Sequence, residues 1–230
     1  MFHRDGPSLL ELIRQGLSST DRGYDLLAPK FEHTPFRTPD LVLDPAARAC
    51  GATGHLLDLC CGTGAGMRAF RASSDSVTGI DRSTGMLDQA RRLLGPDVRL
   101  VRGDALALPF RERFDTVVSF GAFGHILEAD EPRMVAEVHR VLKPGGRFIF
   151  ATAELPSWLH PSRLMAEGFN WTMRVRNQLL EPKFIMYYLT FMLPKAQQQL
   201  EAAGFSVETP EGIFPKPLSR IRLVIATKRH

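Results

Sequence analysis

Three aspartates in this chain of 230 residues, Asp58, Asp81 and Asp104, each fall at or near the end of a short apolar run. Asp58 lies in Leu56-Leu57-Asp58-Leu59-Cys60-Cys61-Gly62-Thr63-Gly64-Ala65-Gly66, an apolar strand running into a glycine-rich turn that opens a helix. Glycines at such a point let the backbone turn sharply and let a ligand lie directly against the main chain. Asp81 stands 23 residues after Asp58 and ends its own apolar run. That is the place of an acid that receives ribose hydroxyls, since a carboxylate has lone pairs for both donors. Asp104, in Gly103-Asp104-Ala105, closes a third run. In an open parallel sheet the carboxyl ends of successive strands gather where ligands bind. A pyrophosphate beside Asp58 would be repelled, whereas an ammonium or sulfonium would be attracted. The expected ligand is therefore a nucleoside carrying a cationic group.

The elements that must position these acids follow from periodicity. Strands are expected at 55–61, 76–81, 98–104, 114–120 and 147–152, alternating with segments of helical period, which is the sequence form of a parallel sheet with crossover helices. One helix, 83–94, repeats Met86, Leu87, Ala90, Leu93 and Leu94 on a single face. Another, 131–142, has Asp130 to cap it, Pro132 in its first turn, and Lys143-Pro144-Gly145-Gly146 to close it. Upstream, residues 1–54 read as a helical cap, with helices at 8–17 and 41–49 around a Pro-punctuated stretch at 28–40. Residues 55–153 form the core, and 154–193, too long for a connection and rich in aromatics, read as an inserted lid facing substrate. Its Phe184 to Leu193 stretch is expected as a core strand or helix of the insertion, with direct substrate contact as the other reading. Arg163, Arg174, Arg176 and Lys183 read as a solvated face, or as a basic rim for an acidic substrate. A helix at 194–203 and strands at 205–209 and 222–227 complete the core over 194–230, the strands closing the sheet as an antiparallel hairpin.

In this order the motifs resemble those of class I S-adenosylmethionine-dependent methyltransferases of the small-molecule type. The resemblance rests on Asp58-Leu-Cys-Cys-Gly62-Thr63-Gly64, Gly79-Ile80-Asp81-Arg82-Ser83 with Met86-Leu87, Gly103-Asp104-Ala105 with Leu108-Pro109-Phe110, Phe114-Asp115, and Leu142-Lys143-Pro144-Gly145-Gly146. It covers roughly residues 56–152, and the LEAAGF stretch at 200–205 resembles the family's last helix leading into its sixth strand. The resemblance implies a Rossmann-like, doubly wound α/β fold, with a mostly parallel seven-stranded sheet and one antiparallel strand. It implies S-adenosylmethionine as cofactor: Gly62 and Gly64 under its methionine and ribose, with Asp58 and Cys60 in the same turn, and Asp81 on the ribose hydroxyls. It further implies Arg82 and Met86 flanking the adenine, Asp104 and Ala105 at its edge, and Ser119 and Phe120 near the sulfonium. Tyr24 resembles the tyrosine that many members bring from the cap toward the cofactor. The sequence departs from the family at Cys60-Cys61, where Gly-Cys is commoner, adding bulk at the turn.

A methyl on a sulfonium is already activated, so such a site must align a nucleophile, exclude water and take a proton where the nucleophile carries one. His125, after the fourth expected strand, is the candidate base or substrate contact, a packing histidine being the plainer reading. The expected partner is a small methyl acceptor of apolar or aromatic character, met by a monomer or homodimer. An RNA or protein acceptor, a nicotinamide-dependent oxidoreductase and a non-catalytic cofactor binder remain as alternatives. The net charge of +4 is spread along the chain without a basic stripe, which argues against nucleic acid. Three cysteines without a CxxC spacing suggest neither a disulfide framework nor a metal site. No apolar run reaches membrane-span length, and the amino-terminal residues lack a secretory pattern, so a cytoplasmic location is expected.

Overall fold

The computed structural model describes residues 4–111 and 113–229. Residues 1–3 of the expected cap and residue 230 of the closing segment lie outside the described residues. Seven strands, β1 (Gly54–Leu59), β2 (Ser74–Asp81), β3 (Arg99–Arg102), β4 (Phe114–Ser119), β5 (Leu142–Ala153), β6 (Phe205–Glu208) and β7 (Ile221–Lys228), form one sheet in the order β3-β2-β1-β4-β5-β7-β6. The first five run parallel, and β7 runs antiparallel to both β5 and β6, so one strand is reversed as the sequence suggests. Strand order reverses between β1 and β4, where the crevice of a doubly wound sheet opens.

Alternation along the strands builds two cores. Leu57, Leu59, Val117, Phe148 and Phe150 face one side, whereas Leu56, Val118 and Ile149 face the other. The first side is covered by α6 (Glu131–Val141) and α8 (Lys195–Ala202), which supply Met134, Val135, Val138 and Leu200. The second is covered by α3 (Asp40–Cys50) and α4 (Ala65–Phe70), through Val42, Ala46 and Phe70. By the same alternation Asp58 shares the side of Leu56, beneath α4. Helix α5 (Thr84–Leu94) buries Met86, Leu87 and Ala90, but Leu93 of its expected inner face is exposed.

Two expectations about α6 are corrected. The chain passes from Val141 directly into β5, because Leu142 already pairs with Phe114 and a register shift before Thr116 absorbs the Lys143–Gly146 turn. Asp130 makes no side-chain cap, since its own backbone is helical and its N–H is engaged by Leu127. The buried Glu131 carboxylate does not cap the helix either: it accepts from the Phe191 N–H, Gln199 and Lys195, tying α6 to the segment at Phe191 and to α8.

The amino-terminal segment holds three helices, α1 (Leu9–Gly16), α2 (Thr20–Leu27) and α3, with a 3₁₀ turn over Ala28–His33. Helix α2 is absent from the sequence reading, although Ser19 caps it by accepting from the Arg22 N–H. After β5 comes α7 (Pro161–Leu179), and then residues 180–194 pass the cleft with no regular structure apart from a bridge at Leu193. Phe184 and Phe191 are buried in this strap, so the expected strand or helix at 184–193 is replaced by irregular chain.

Candidate active site

A cleft of about 860 Å³ opens at the carboxyl ends of β1, β2 and β4, between α2 and the strap. Its size falls in the upper part of the range of small-molecule sites, ~300–1,000 Å³. Tyr24, Asp58, Cys60, Gly62, Asp81 and Arg82 line it. So do Met86, Asp104, Ala105 and His125. Of the residues expected at the site, Gly64 and Ser119 do not line it. Gly64 stands behind the turn in left-handed conformation (φ +86°), where an added Cβ would strike Leu94. The Ser119 hydroxyl donates to the Leu59 carbonyl at 3.0 Å, tying β4 to β1 within the sheet, and Phe120 is the residue that reaches the cleft.

Asp58 is buried with one oxygen, Oδ2, lacking any partner. Burial pushes its carboxyl up to about 7, against the pull of the Met67 backbone N–H and with a further push from Asp81. Gly66 makes this packing feasible, since a Cβ there would lie 2.5 Å from Asp58 Oδ2. Asp81 is held in place by two backbone donors, Gly62 N–H to Oδ2 and Ser83 N–H to Oδ1, each at 2.9 Å. Its carboxylate retains free lone pairs for further donors. Burial raises its pKa as well, opposed by those same amides. Two adjoining carboxylates, one with an orphaned oxygen, make a site suited to a ligand carrying hydroxyl donors and positive charge.

The turn between them is strained at Cys60, which adopts φ +56°, a conformation natural to glycine. This is the position where the family more often has glycine. Burial drives the thiols of Cys60 and Cys61 upward, so neither is poised as a nucleophile. Next to the turn, Arg82 bridges Asp21 of α2 at 3.0 Å and Asp104 at 3.4 Å. Asp104 also accepts from the Leu106 N–H, and Met86 and Ala105 form a buried apolar wall.

Tyr24 and His125 meet across the cleft, with Oη and Nε2 at 2.7 Å. His125 Nδ1 lies 2.7 Å from the Ile185 carbonyl, which can only accept, so Nδ1 carries the proton. Burial lowers the imidazole pKa and raises that of the phenol, whose charged form is further opposed by Asp81. The pair is therefore neutral: Tyr24 O–H donates to the bare Nε2 lone pair. One bonded chain thus joins the cap, the core and the strap.

Several site-building residues escaped the sequence reading. Asp25 on α2 accepts from the Ser83 hydroxyl at 2.6 Å and from the Gly85 N–H at 2.8 Å, docking the cap on the start of α5. Glu32 accepts from the Thr63 hydroxyl and pairs with Arg37, holding the glycine turn from above. On α7, Asn170 and Asn177 each bond both to the N–H and to the C=O of one strap residue, Tyr188 and Phe184 respectively, at 2.8–2.9 Å. Their separation by two helical turns was the available signal. Arg163, expected in a solvated face, is buried, donating to the Pro156 carbonyl and stacking over Trp158. Among the described residues no cluster of His, Cys, Asp and Glu could hold a metal.

Residues 56–146 match the model of a methyltransferase domain family. The demethylmenaquinone methyltransferase of Thermus thermophilus is 35% identical over 184 residues, covering 74% of this chain and 80% of that protein. The corresponding enzyme of Symbiobacterium thermophilum is 39% identical over 124 residues, covering 50% of this chain and 47% of its own. The chain thus spans about half the length of the first curated relatives it matches. Among solved structures, the DhpI–SAH complex superposes with a TM-score of 0.68 at 19% identity, covering 96% of this chain and 99% of that one. The chain belongs to the class I S-adenosylmethionine-dependent methyltransferase family.

Proposed function

We propose that this chain transfers a methyl group from S-adenosylmethionine to a small apolar or aromatic acceptor. The observation that carries the reading is the pair Asp58 and Asp81: a buried carboxylate with an unpartnered oxygen beside one oriented by two amides. Asp81 receives the ribose hydroxyls, and Asp58 faces the cationic amino acid portion. Bare main chain at Gly62 lets the ligand approach closely, Met86 and Ala105 enclose the adenine, and Asp104 and Arg82 meet its edge. Cys60 lies in the same turn against the ligand. Gly64 shapes that turn, and Ser119 sets the height of β4 beside it.

When bound, S-adenosylmethionine supplies a methyl group activated by its sulfonium. The protein's task is alignment, exclusion of water and removal of a proton. His125 Nε2 is a neutral base inside the cleft, and Tyr24 holds it in place until an acceptor arrives. An acceptor hydroxyl that replaced the Tyr24 contact would give its proton to Nε2, and the resulting imidazolium would be held by the Ile185 carbonyl.

In this reading 1–54 is a cap, 55–153 and 194–230 the cofactor-binding core, and 154–193 a lid over the acceptor. The name of the Thermus relative supports a small-molecule acceptor. Free thiols, buried at Cys50 and Cys61 and partly buried at Cys60, suit the reducing cytoplasm. Incubation with methyl-labelled S-adenosylmethionine and a metabolite extract tests the reading. A labelled small molecule formed by the wild type and not by Asp81→Ala supports it, and label confined to protein or RNA overturns it.

A further inference from the structure

Helices α1 and α7 are built inside out. Helix α7 buries Arg163, Asn170 and Asn177 and turns Leu164, Met165, Trp171 and Leu179 to the exterior, continuing the exposed Trp158 and Leu159 before it. Helix α1 buries Gln15 and exposes Leu9, Leu10 and Ile13, and Leu17 at its C-cap is exposed as well. The two meet at their C-terminal ends: Arg176 of α7 donates to the Ser18 carbonyl just after α1, and in the strap that follows α7 the Ile185 N–H donates to the Thr20 hydroxyl of α2. Ser19, Thr20 and Lys183, which follow these helices in sequence, line the cleft. Elsewhere the exposed large apolar side chains are few and scattered, Leu41, Leu93 and Leu127 among them.

From this arrangement we propose that α1 and the lid helix α7 form a docking surface for a lipid bilayer, placing the cleft mouth at the membrane interface. The surface is a set of protrusions, with Leu159 88%, Leu10 78%, Met165 77% and Trp158 76% exposed. Isolated projecting side chains enter a fluid acyl layer, whereas a protein partner has to match them in shape. Both tryptophans of the chain are here, and indoles favour the headgroup boundary. Charge is complementary to anionic headgroups. Glu11 and Glu154 are paired with Lys30 and Arg222, and Arg174 turns toward the Tyr187 ring, which leaves the exposed Arg14, Lys183 and Arg220 against Glu167 and Glu181. No helix among the described residues is long and apolar enough to cross a membrane, so the attachment is interfacial. The proposal stands on the surface alone and is independent of the reaction assigned to the cleft.

Because Trp158 and Trp171 are the only tryptophans, intrinsic emission of the full chain reads the docking directly. Vesicles of phosphatidylcholine with phosphatidylglycerol are expected to shift the emission to the blue, and vesicles with brominated acyl chains to quench it. Leu159→Asp with Met165→Asp is expected to lower vesicle partitioning at least tenfold while leaving S-adenosylhomocysteine binding unchanged, which also reports that the variant is folded. Emission insensitive to vesicles, a blue shift without bromine quenching, or equal partitioning of the variant would overturn the proposal. So would self-association in lipid-free buffer that the same substitutions abolish while vesicle binding is absent, since the face would then serve a second copy.

Discussion

The Tyr24 hydroxyl lies 2.7 Å from His125 Nε2, while the opposite nitrogen of the same ring is bonded to the Ile185 carbonyl. The second contact fixes the tautomer, and the tautomer leaves Nε2 as an unprotonated base. His125→Gln is therefore expected to lower kcat about 100-fold or more, within the range for loss of a general base. Tyr24→Phe leaves the base intact and is expected to cost about tenfold or less, the scale of one hydrogen bond. Single-turnover rates at saturating cofactor check both.

The acid side of the pH profile separates two groups. Burial lowers the His125 pKa, so the ring stays neutral below its ordinary value, and the transfer rate on the bound complex should hold down to about pH 6.5. Cofactor affinity should fall earlier. Burial pushes Asp58 up to about 7, and its ionised form is the one a cation favours, so affinity is full only well above pH 7 and drops as the pH falls through it, by up to about tenfold per unit. Asp81, also raised by burial, acts in the same direction. Calorimetric titration across pH 5.5–8.5 (about three decades of proton activity) checks the sign: affinity rising on acidification would contradict it.

Cys60 supplies a stability test. Its φ of +56° costs an L residue about 1–2 kcal/mol, partly offset by the backbone freedom that glycine adds to the unfolded chain. Cys60→Gly should raise stability by about 0.5 kcal/mol, or ~1–2 °C in Tm by the scaling for chains of this size. Gly62→Ala probes the opposite limit. An added Cβ there meets nothing within 4 Å, though φ is +53°. The variant should fold with a loss of about 1 kcal/mol and bind cofactor at least tenfold more weakly, because the methyl group stands at the wall of the cleft.

Asn177 clips the strap. Alanine in its place strips Phe184 of partners for both its N–H and its C=O, at a cost of about 2 kcal/mol. Asn177→Ala should retain cofactor binding and lose acceptor turnover, which would assign the strap to the acceptor. Unchanged turnover would remove the lid role.

What the sequence disclosed and what it withheld divide by range of interaction. The tips of β1 and β2 were legible because apolar runs end in Asp58 and Asp81 around glycines whose backbone demands are local. The reversed β7 was legible because no helix fits between it and β6. The strap was not, since its order comes from amide side chains on α7 rather than from its own periodicity. Ser119 was misplaced for a related reason: strand alternation turns its hydroxyl into the sheet, and only the neighbouring β1 carbonyl reveals where it is bonded. Helix α7 hides its register too, because its buried face carries Arg163, Asn170 and Asn177, the reverse of the pattern that marks an inner face. The roles of Asp25 and Glu32 depend on a cap packed across the turn from more than 30 residues away.

The central claim is that carboxylates at the strand tips hold a cationic adenosyl ligand, and titration calorimetry with S-adenosylmethionine at pH 8 tests it most directly. Wild type should show saturable one-site binding, with Asp81→Ala weaker by at least tenfold, as expected for loss of charged hydrogen bonds worth ~1.5–3 kcal/mol each. No binding by the wild type, or equal affinity in the two proteins, would contradict the account.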